Sequence, residues 1–121
     1  MKNYEIINSV AGLSELTKNN EKMGVKATYG IIKNMKSINE AYENYVATVK
    51  KIAEEFGATI DEKGISMEGL NNENAEAMKK KLDELLQIEV EINPYKVKVE
   101  DFGSYEPTIQ EMSALAFMIE D

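Results

Sequence analysis

Residues 31–56 read IIKNMKSINEAYENYVATVKKIAEEF, and their apolar side chains recur at alternating intervals of four and three. The positions of this stripe are Ile31, Met35, Ile38, Tyr42, Tyr45, Val49, Ile52 and Phe56. Such intervals place them along one face of a helix about 45 Å long. The stripe must be covered by the rest of the chain or by another protein, so this segment decides the fold.

Two helices are predicted in the first half of the chain. The long helix is expected at Val25–Phe56, since Gly57 is typical of the residue just after a helix C-terminus. Before it, a short amphipathic helix is predicted at 4–18 with Asn3 as its N-cap. Its inward residues are Ile6, Val10, Leu13 and Leu16.

Two further helices are predicted in the second half. One is capped by Asn71 or Asn72 and turns Ala75, Met78, Leu82 and Leu85 inward, which makes it an antiparallel cover for the end of the long helix. The other opens with a capping box formed by Thr108 and Glu111. Its expected inner residues are Ile109, Met112, Leu115, Ala116 and Ile119.

The remaining segments favour β-structure. Residues 58–67 alternate and turn at 61–64, where Gly64 can supply a positive φ, so a small hairpin is predicted. Residues 88–92 and 97–99 also alternate, on either side of Asn93 and Pro94. They read as two short strands or as one bent edge strand, either of which could join the hairpin. The predicted fold is α+β, with a long central helix packed by three shorter helices and a small antiparallel hairpin or sheet. Residues 1–121 are expected to form a single domain.

Composition argues against most kinds of catalysis. All 14 basic residues are lysines, and the chain has no arginine, histidine, cysteine or tryptophan. It therefore offers no imidazole base, no thiolate, no ordinary zinc site and no guanidinium fork for phosphate. Codon use in an AT-rich genome explains the same composition, but the chemical consequence is unchanged. We expect no enzyme activity, no catalytic residue, no cofactor and no metal site.

The net charge of −8 disfavours nucleic acid as a direct ligand, because duplex binding needs a basic surface. The same charge favours solubility and can steer a basic protein partner. No apolar run approaches the ~20 residues of a membrane span, and no secretory signal is recognisable. We therefore expect a cytoplasmic protein without membrane contact.

Three segments carry a resemblance to a known group of proteins. They are residues 29–34 (YGIIKN), 85–92 (LLQIEVEI) and 115–120 (LAFMIE). In this order they resemble a family of small uncharacterised proteins encoded by phages and prophages of Gram-positive bacteria. The resemblance implies a viral origin, a host bacterial cytoplasm as the site of action, and a domain of unknown function without catalytic residues to transfer.

Acidic residues are the remaining candidates for a functional surface. Pairs such as Glu40 with Glu43 could hold a hard cation, but 22 acids among 121 residues make a solvated helix face the simpler interpretation. The first function predicted is a phage-encoded anti-defence inhibitor that occludes a host protein stoichiometrically. Its expected partner-binding residues are Glu40, Glu43, Glu54, Glu55, Glu62, Glu68 and Glu73.

A second class is a phage structural or assembly accessory protein, either an adaptor or a chaperone, with a phage protein as partner. A long heptad helix and an edge strand favour self-association or strand addition, so a homodimer is possible. A modulator of transcription or replication is the third class.

Overall fold

Four α-helices and one β-hairpin make up the computed structural model of this chain, which describes residues 1–18, 22–61 and 64–120. The α-helices are α1 (Asn3–Thr17), α2 (Val25–Phe56), α3 (Asn72–Leu86) and α4 (Ile109–Leu115), and the strands are β1 (Thr59–Asp61) and β2 (Gly64–Ser66). Two short 3-10 helices lie at Val99–Phe102 and Ala116–Met118. This arrangement confirms the predicted α+β class, with a long helix packed by shorter ones. No helix in the described part of the chain is long and apolar enough to cross a membrane.

The long helix α2 spans Val25–Phe56, as predicted, and Gly57 follows its C-terminus. Gly57 adopts a left-handed φ of 77°, and its amide donates to the carbonyl of Glu54 at 3.2 Å. The stripe is covered unevenly. Ile31 and Ile38 are buried, whereas the other six stripe positions are only half-buried. The core therefore lies around the first half of α2, where α1 and residues 97–118 pack against it.

The second half of α2 is covered by α3, as predicted. The side chain of Asn71 caps α3 by accepting from the amide of Asn74 at 2.7 Å, and Met78 and Leu85 are buried. The hairpin pairs antiparallel, with Ile60 opposite Ile65. Residues 62 and 63 of its predicted turn lie outside the described residues.

Asn3 is not the N-cap of α1, contrary to the prediction. Lys2 occupies that position, and its amide donates to the Glu5 carboxylate at 2.9 Å. Asn3 is instead buried and donates from Nδ2 to the carbonyl of Leu85 at 2.8 Å. This hydrogen bond joins α1 to the C-terminal end of α3. Asn3 therefore makes a tertiary contact instead of capping its own helix.

The strands predicted at 88–99 are wrong. Residues 88–98 form an extended connection with two isolated bridges, Lys2 to Glu89 and Val97 to Ile119, and the described part of the hairpin has no third strand. The backbone of this segment forms hydrogen bonds with residues at both ends of the chain. The amide of Val90 donates to Met1, and Glu120 donates to the carbonyl of Val97 at 2.7 Å.

A single buried amide holds the middle of that connection to α2. Asn34 donates from Nδ2 to the carbonyl of Tyr95 at 2.9 Å, and its Oδ1 accepts from the amide of Tyr95 at 2.7 Å. The Asn34 amide also lies 3.3 Å from the Met118 sulfur. A side chain thus takes the place of a neighbouring strand for this residue, which explains why alternation here does not lead to a sheet.

The capping box of α4 is confirmed, but part of its predicted inner face is not. The Thr108 hydroxyl accepts from the Glu111 amide at 3.1 Å, and the Glu111 carboxylate accepts from the Thr108 amide at 2.9 Å. Ile109 is 91% exposed and Ala116 is exposed, so both assignments as inner residues are wrong. Ala114 and Leu115 are buried instead, and helical geometry places Ile109 nearly opposite them. The change to a 3-10 turn after Leu115 shifts the phase that the prediction assumed.

Candidate functional site

An open groove of about 1180 Å³ lies between α1 and α4. It runs along the solvent side of both helices and includes the segment that precedes α4. The lining is mixed: alanines and Phe117 form its apolar part, and most of its other side chains are polar or charged. The lining residues are Met1, Glu5, Asn8, Ser9, Ala11, Gly12, Glu15, Lys18, Tyr105, Glu106, Thr108, Gln110, Glu111, Ser113, Ala114, Ala116 and Phe117.

A close helix contact forms the floor of this groove. Gly12 of α1 faces Ala114 of α4, and a Cβ atom built on Gly12 would overlap the Cβ of Ala114. Leu13 and Leu115, the next residues on each helix, are fully buried. The missing side chain at Gly12 allows the two helices to approach, so the position of α4 depends on this glycine.

Four carboxylates, Glu5, Glu15, Glu106 and Glu111, give the groove a negative charge. The positive groups on its lining are Lys18 and the N-terminal ammonium of Met1. The Lys18 amine lies 3.7 Å from the Glu15 carboxylate, and both side chains are about three-quarters exposed, so this pair is weak. The Met1 ammonium donates to the carbonyl of Val90 at 3.0 Å. Among the described residues that line the groove, carboxylates thus outnumber cations.

Glu111 is the carboxylate whose charge is best fixed. It accepts from the amide of Thr108 at 2.9 Å and from the hydroxyl of Tyr105 at 2.6 Å. The backbone hydrogen bond from Thr108, and then the bond from Tyr105, lower the pKa of Glu111 below its ordinary value of 4.5. Its carboxylate is therefore ionised and held in one orientation at neutral pH.

The acids predicted on α2 lie on its outward face. Glu40, Glu43 and Glu54 are exposed, and Glu40 and Glu54 are about 21 Å apart along the helix. Lysines alternate with them: Lys33, Lys36, Lys50 and Lys51 are also exposed on this helix. This face is therefore mixed in charge rather than acidic.

The other predicted acids are dispersed. Glu55 accepts from the Lys81 amine at 3.0 and 3.1 Å, and that amine also lies 5.4 Å from the centre of the Phe56 ring. Glu68 is exposed before α3, and Glu73 is exposed in the first turn of α3, about 12 Å along the helix from Lys81. Glu62 lies outside the described residues. The described members of this set are thus spread over α2, the segment before α3 and α3 itself.

The sequence prediction missed the groove carboxylates, although one signal points to them. Residues 99–121 contain six acids and no lysine: Glu100, Asp101, Glu106, Glu111, Glu120 and Asp121. A charge imbalance of this kind indicates an acidic region of surface. It does not indicate that Glu106 and Glu111 face Glu5 and Glu15, because that follows only from the packing of α4 on α1.

Among residues 1–18, 22–61 and 64–120, no group of three or more Asp or Glu side chains is arranged to hold a metal ion. The groove carboxylates thus spread negative charge along the groove and are not grouped as metal ligands. No protein-family profile, curated protein or solved structure matches this chain.

Proposed function

We propose that this chain is a phage-encoded, non-enzymatic binding protein that occludes a host protein stoichiometrically in the host cytoplasm. The groove between α1 and α4 receives a lysine- or arginine-bearing segment of that protein. The observation that carries the proposal is the set of four carboxylates around an open groove. The resemblance of residues 29–34, 85–92 and 115–120 to phage and prophage proteins supports the origin.

The spacing of the carboxylates suggests the ligand. Glu5 and Glu15 are ten residues apart on α1, which is about 15 Å. An extended chain covers that distance in four or five residues at about 3.3 Å each. Two cations four or five residues apart therefore suit the two ends of the groove, while Glu111 presents a fixed charge between α1 and α4.

Occlusion requires affinity and a fast encounter rather than chemistry. A negative groove on a chain of net charge −8 steers a basic partner and raises the association rate. A basic segment that a host protein uses to bind phosphates is the natural target, since carboxylates replace phosphates there. Binding of this kind weakens as salt screens the charges.

A defined peptide tests the groove. The probe is an acetylated, amidated peptide with two lysines separated by three neutral residues, titrated into isotopically labelled protein. We expect amide shifts in 5–15 and 106–114, and weaker binding of the variant Glu15→Gln/Glu106→Gln by about 2- to 30-fold at low salt. The matched variant Glu40→Gln/Glu43→Gln removes the same charge from α2 and tests the prediction made from sequence. Equal losses in both variants would mean that only net charge matters, and would contradict a site in the groove.

The function itself is tested with host protein. Tagged wild-type chain and both double variants are used as bait in host lysate, and a captured protein is then purified and titrated. The proposal expects a complex with equal numbers of this chain and the host protein, lost in the groove variant and retained in the α2 variant, and loss of the host protein's activity at equimolar chain. A captured protein that keeps its activity when saturated would overturn occlusion.

A phage structural or assembly accessory role is the second candidate, and the exposed apolar side chains on the first half of α2 favour it. Val25 is 86% exposed, and Tyr29 and Ile32 are about half exposed. Centrifugation of phage particles separates the two functions. An assembly component sediments with the particles or their precursors, whereas an inhibitor stays in the supernatant with host protein.

A further inference from the structure

A second stripe runs along the outward face of α2, opposite the stripe that faces the core. It begins with Val25, Tyr29 and Ile32, which are 86%, 53% and 52% exposed. Their intervals of four and three place them on one side of the helix. These three belong to the nine large apolar side chains exposed in the described residues, and they fall within eight consecutive positions.

The apolar end of this stripe is already ordered. The Tyr29 ring packs edge to face on Tyr95 with ring centres 5.1 Å apart, and the Lys33 amine lies 5.8 Å from the Tyr29 ring. A side chain fixed before binding loses less freedom when a partner covers it.

Charges of opposite sign follow along the same face. Lys33 and Lys36 come first, Glu40 and Glu43 follow, and the small residue Ala47 comes next. All five are exposed. Lys36 and Glu40 are each two positions from residue 38, and Lys33 and Glu43 are each five positions from it.

We propose that this face pairs with the same face of a second copy, with the two α2 helices antiparallel and a two-fold axis at the level of Ile38. Lys36 then lies opposite Glu40 of the second copy, and Lys33 opposite its Glu43. The Tyr29 ring covers Ala47 of the second copy, where a small side chain leaves room for it.

The charge order selects both the partner and the direction. Residues equally far from a two-fold axis meet in an isologous contact, so the charges at positions 33–43, which reverse sign across position 38, are complementary to themselves. A parallel pair would place Lys36 against Lys36 and Glu40 against Glu40, which repel. The inference does not rest on the groove, since α1 packs on the opposite, core side of α2.

Two single charge reversals test the pairing. In a Lys36→Glu homodimer, each new carboxylate faces the Glu40 carboxylate of the other copy. In a Glu40→Lys homodimer, each new amine faces the Lys36 amine of the other copy. We expect each variant alone to dimerise at least tenfold more weakly than wild type in sedimentation equilibrium. Mixed one to one, the two variants restore both opposite-charge pairs, so a heterodimer with a Kd within about threefold of the wild-type value should form.

The matched control uses the same charges at the same spacing on α3. Glu76→Lys and Lys80→Glu reverse two exposed residues there, and neither variant nor their mixture should change dimerisation. Circular dichroism of every variant establishes that the fold is retained. A wild-type chain that stays monomeric at millimolar concentration, or Lys36→Glu and Glu40→Lys variants that fail to associate when mixed, would overturn the proposal.

Discussion

Replacing Gly12 by alanine tests the contact on which both the core and the groove depend. A Cβ atom on Gly12 would overlap the Cβ of Ala114 and lie 3.5 Å from the Cα of Ala114. The two Cβ atoms are each bonded directly to the backbone of a helix, so neither can rotate away from the other. The added methyl group must push α1 and α4 apart or tilt one of them.

The magnitude follows from two opposed effects. In an exposed helix interior, Gly→Ala stabilises by about 1 kcal/mol. Overpacking of a close contact costs about 1–3 kcal/mol, and a rigid backbone contact belongs at the upper end of that range. We therefore expect Gly12→Ala to lower the free energy of unfolding by about 1–2 kcal/mol, despite its better helix propensity.

A double-mutant cycle isolates the contact. Ala114→Gly alone should cost about 1 kcal/mol in helix propensity, while Gly12→Ala/Ala114→Gly moves the methyl group from one helix to the other and removes the overlap. The coupling energy from urea unfolding should be about 1–3 kcal/mol in favour of the double variant. A higher unfolding midpoint for Gly12→Ala alone, or a cycle without coupling, would refute the close packing of α1 and α4.

Four further predictions concern the core, the buried amide, the cap of α4 and the pH dependence of stability. Ile38 is fully buried, so Ile38→Ala should cost about 2–5 kcal/mol in urea unfolding, and a loss below about 0.5 kcal/mol would mean that the stripe is open. Asn34→Leu removes both hydrogen bonds to the backbone of Tyr95 and should cost about 1–3 kcal/mol, with faster amide exchange at Tyr95 as the specific sign. Thr108→Ala should cost about 1 kcal/mol, and unchanged exchange at the first turn of α4 would contradict the capping box. Because the pKa of Glu111 is lowered in the folded chain, its contribution to stability is present above its ordinary pKa of 4.5 and is lost as the pH falls through the folded value. Stability of Glu111→Gln should therefore fall less than that of wild type on acidification, and equal slopes would contradict this linkage.

The helices could be predicted because their limits are set by neighbouring residues. Gly57 stops α2, Asn71 caps α3, and Thr108 with Glu111 starts α4. Each signal acts within one helical turn of the element that it delimits. Such signals do not depend on the rest of the fold, so they can be read from one sequence.

The strands at 88–99 could not be predicted correctly, since an alternating pattern identifies a candidate strand but not the neighbouring strand with which it must pair. A strand needs the backbone of a neighbour, and here the neighbours are the two ends of the chain and the side chain of Asn34. The same reason explains the error at Asn3, whose side chain donates to the carbonyl of Leu85 and does not cap its own helix. Contacts between residues far apart in the sequence leave no periodic trace in it.

The groove was missed for a related reason. Its carboxylates come from α1, from the segment before α4 and from α4 itself, and only the contact of Gly12 with Ala114 makes them neighbours. Glu40 and Glu43 are predicted because they are acids on a regular helix. On that helix they alternate with lysines, which a count of acids alone does not reveal.

The charge of the chain is unevenly distributed, and this separates the two proposed surfaces. The net charge is −8, yet α2 carries five lysines against four glutamates. Two copies of an acidic protein repel one another, so a contact between them is most favourable where the surface is locally balanced, as it is on the outward face of α2. Added salt weakens the ion pairs in such a contact and also screens the repulsion between the two net charges, so these effects oppose each other. In the groove no such compensation exists, because a basic segment is attracted both by the groove and by the whole chain. Salt should therefore weaken binding of a basic peptide steeply and dimerisation only slightly.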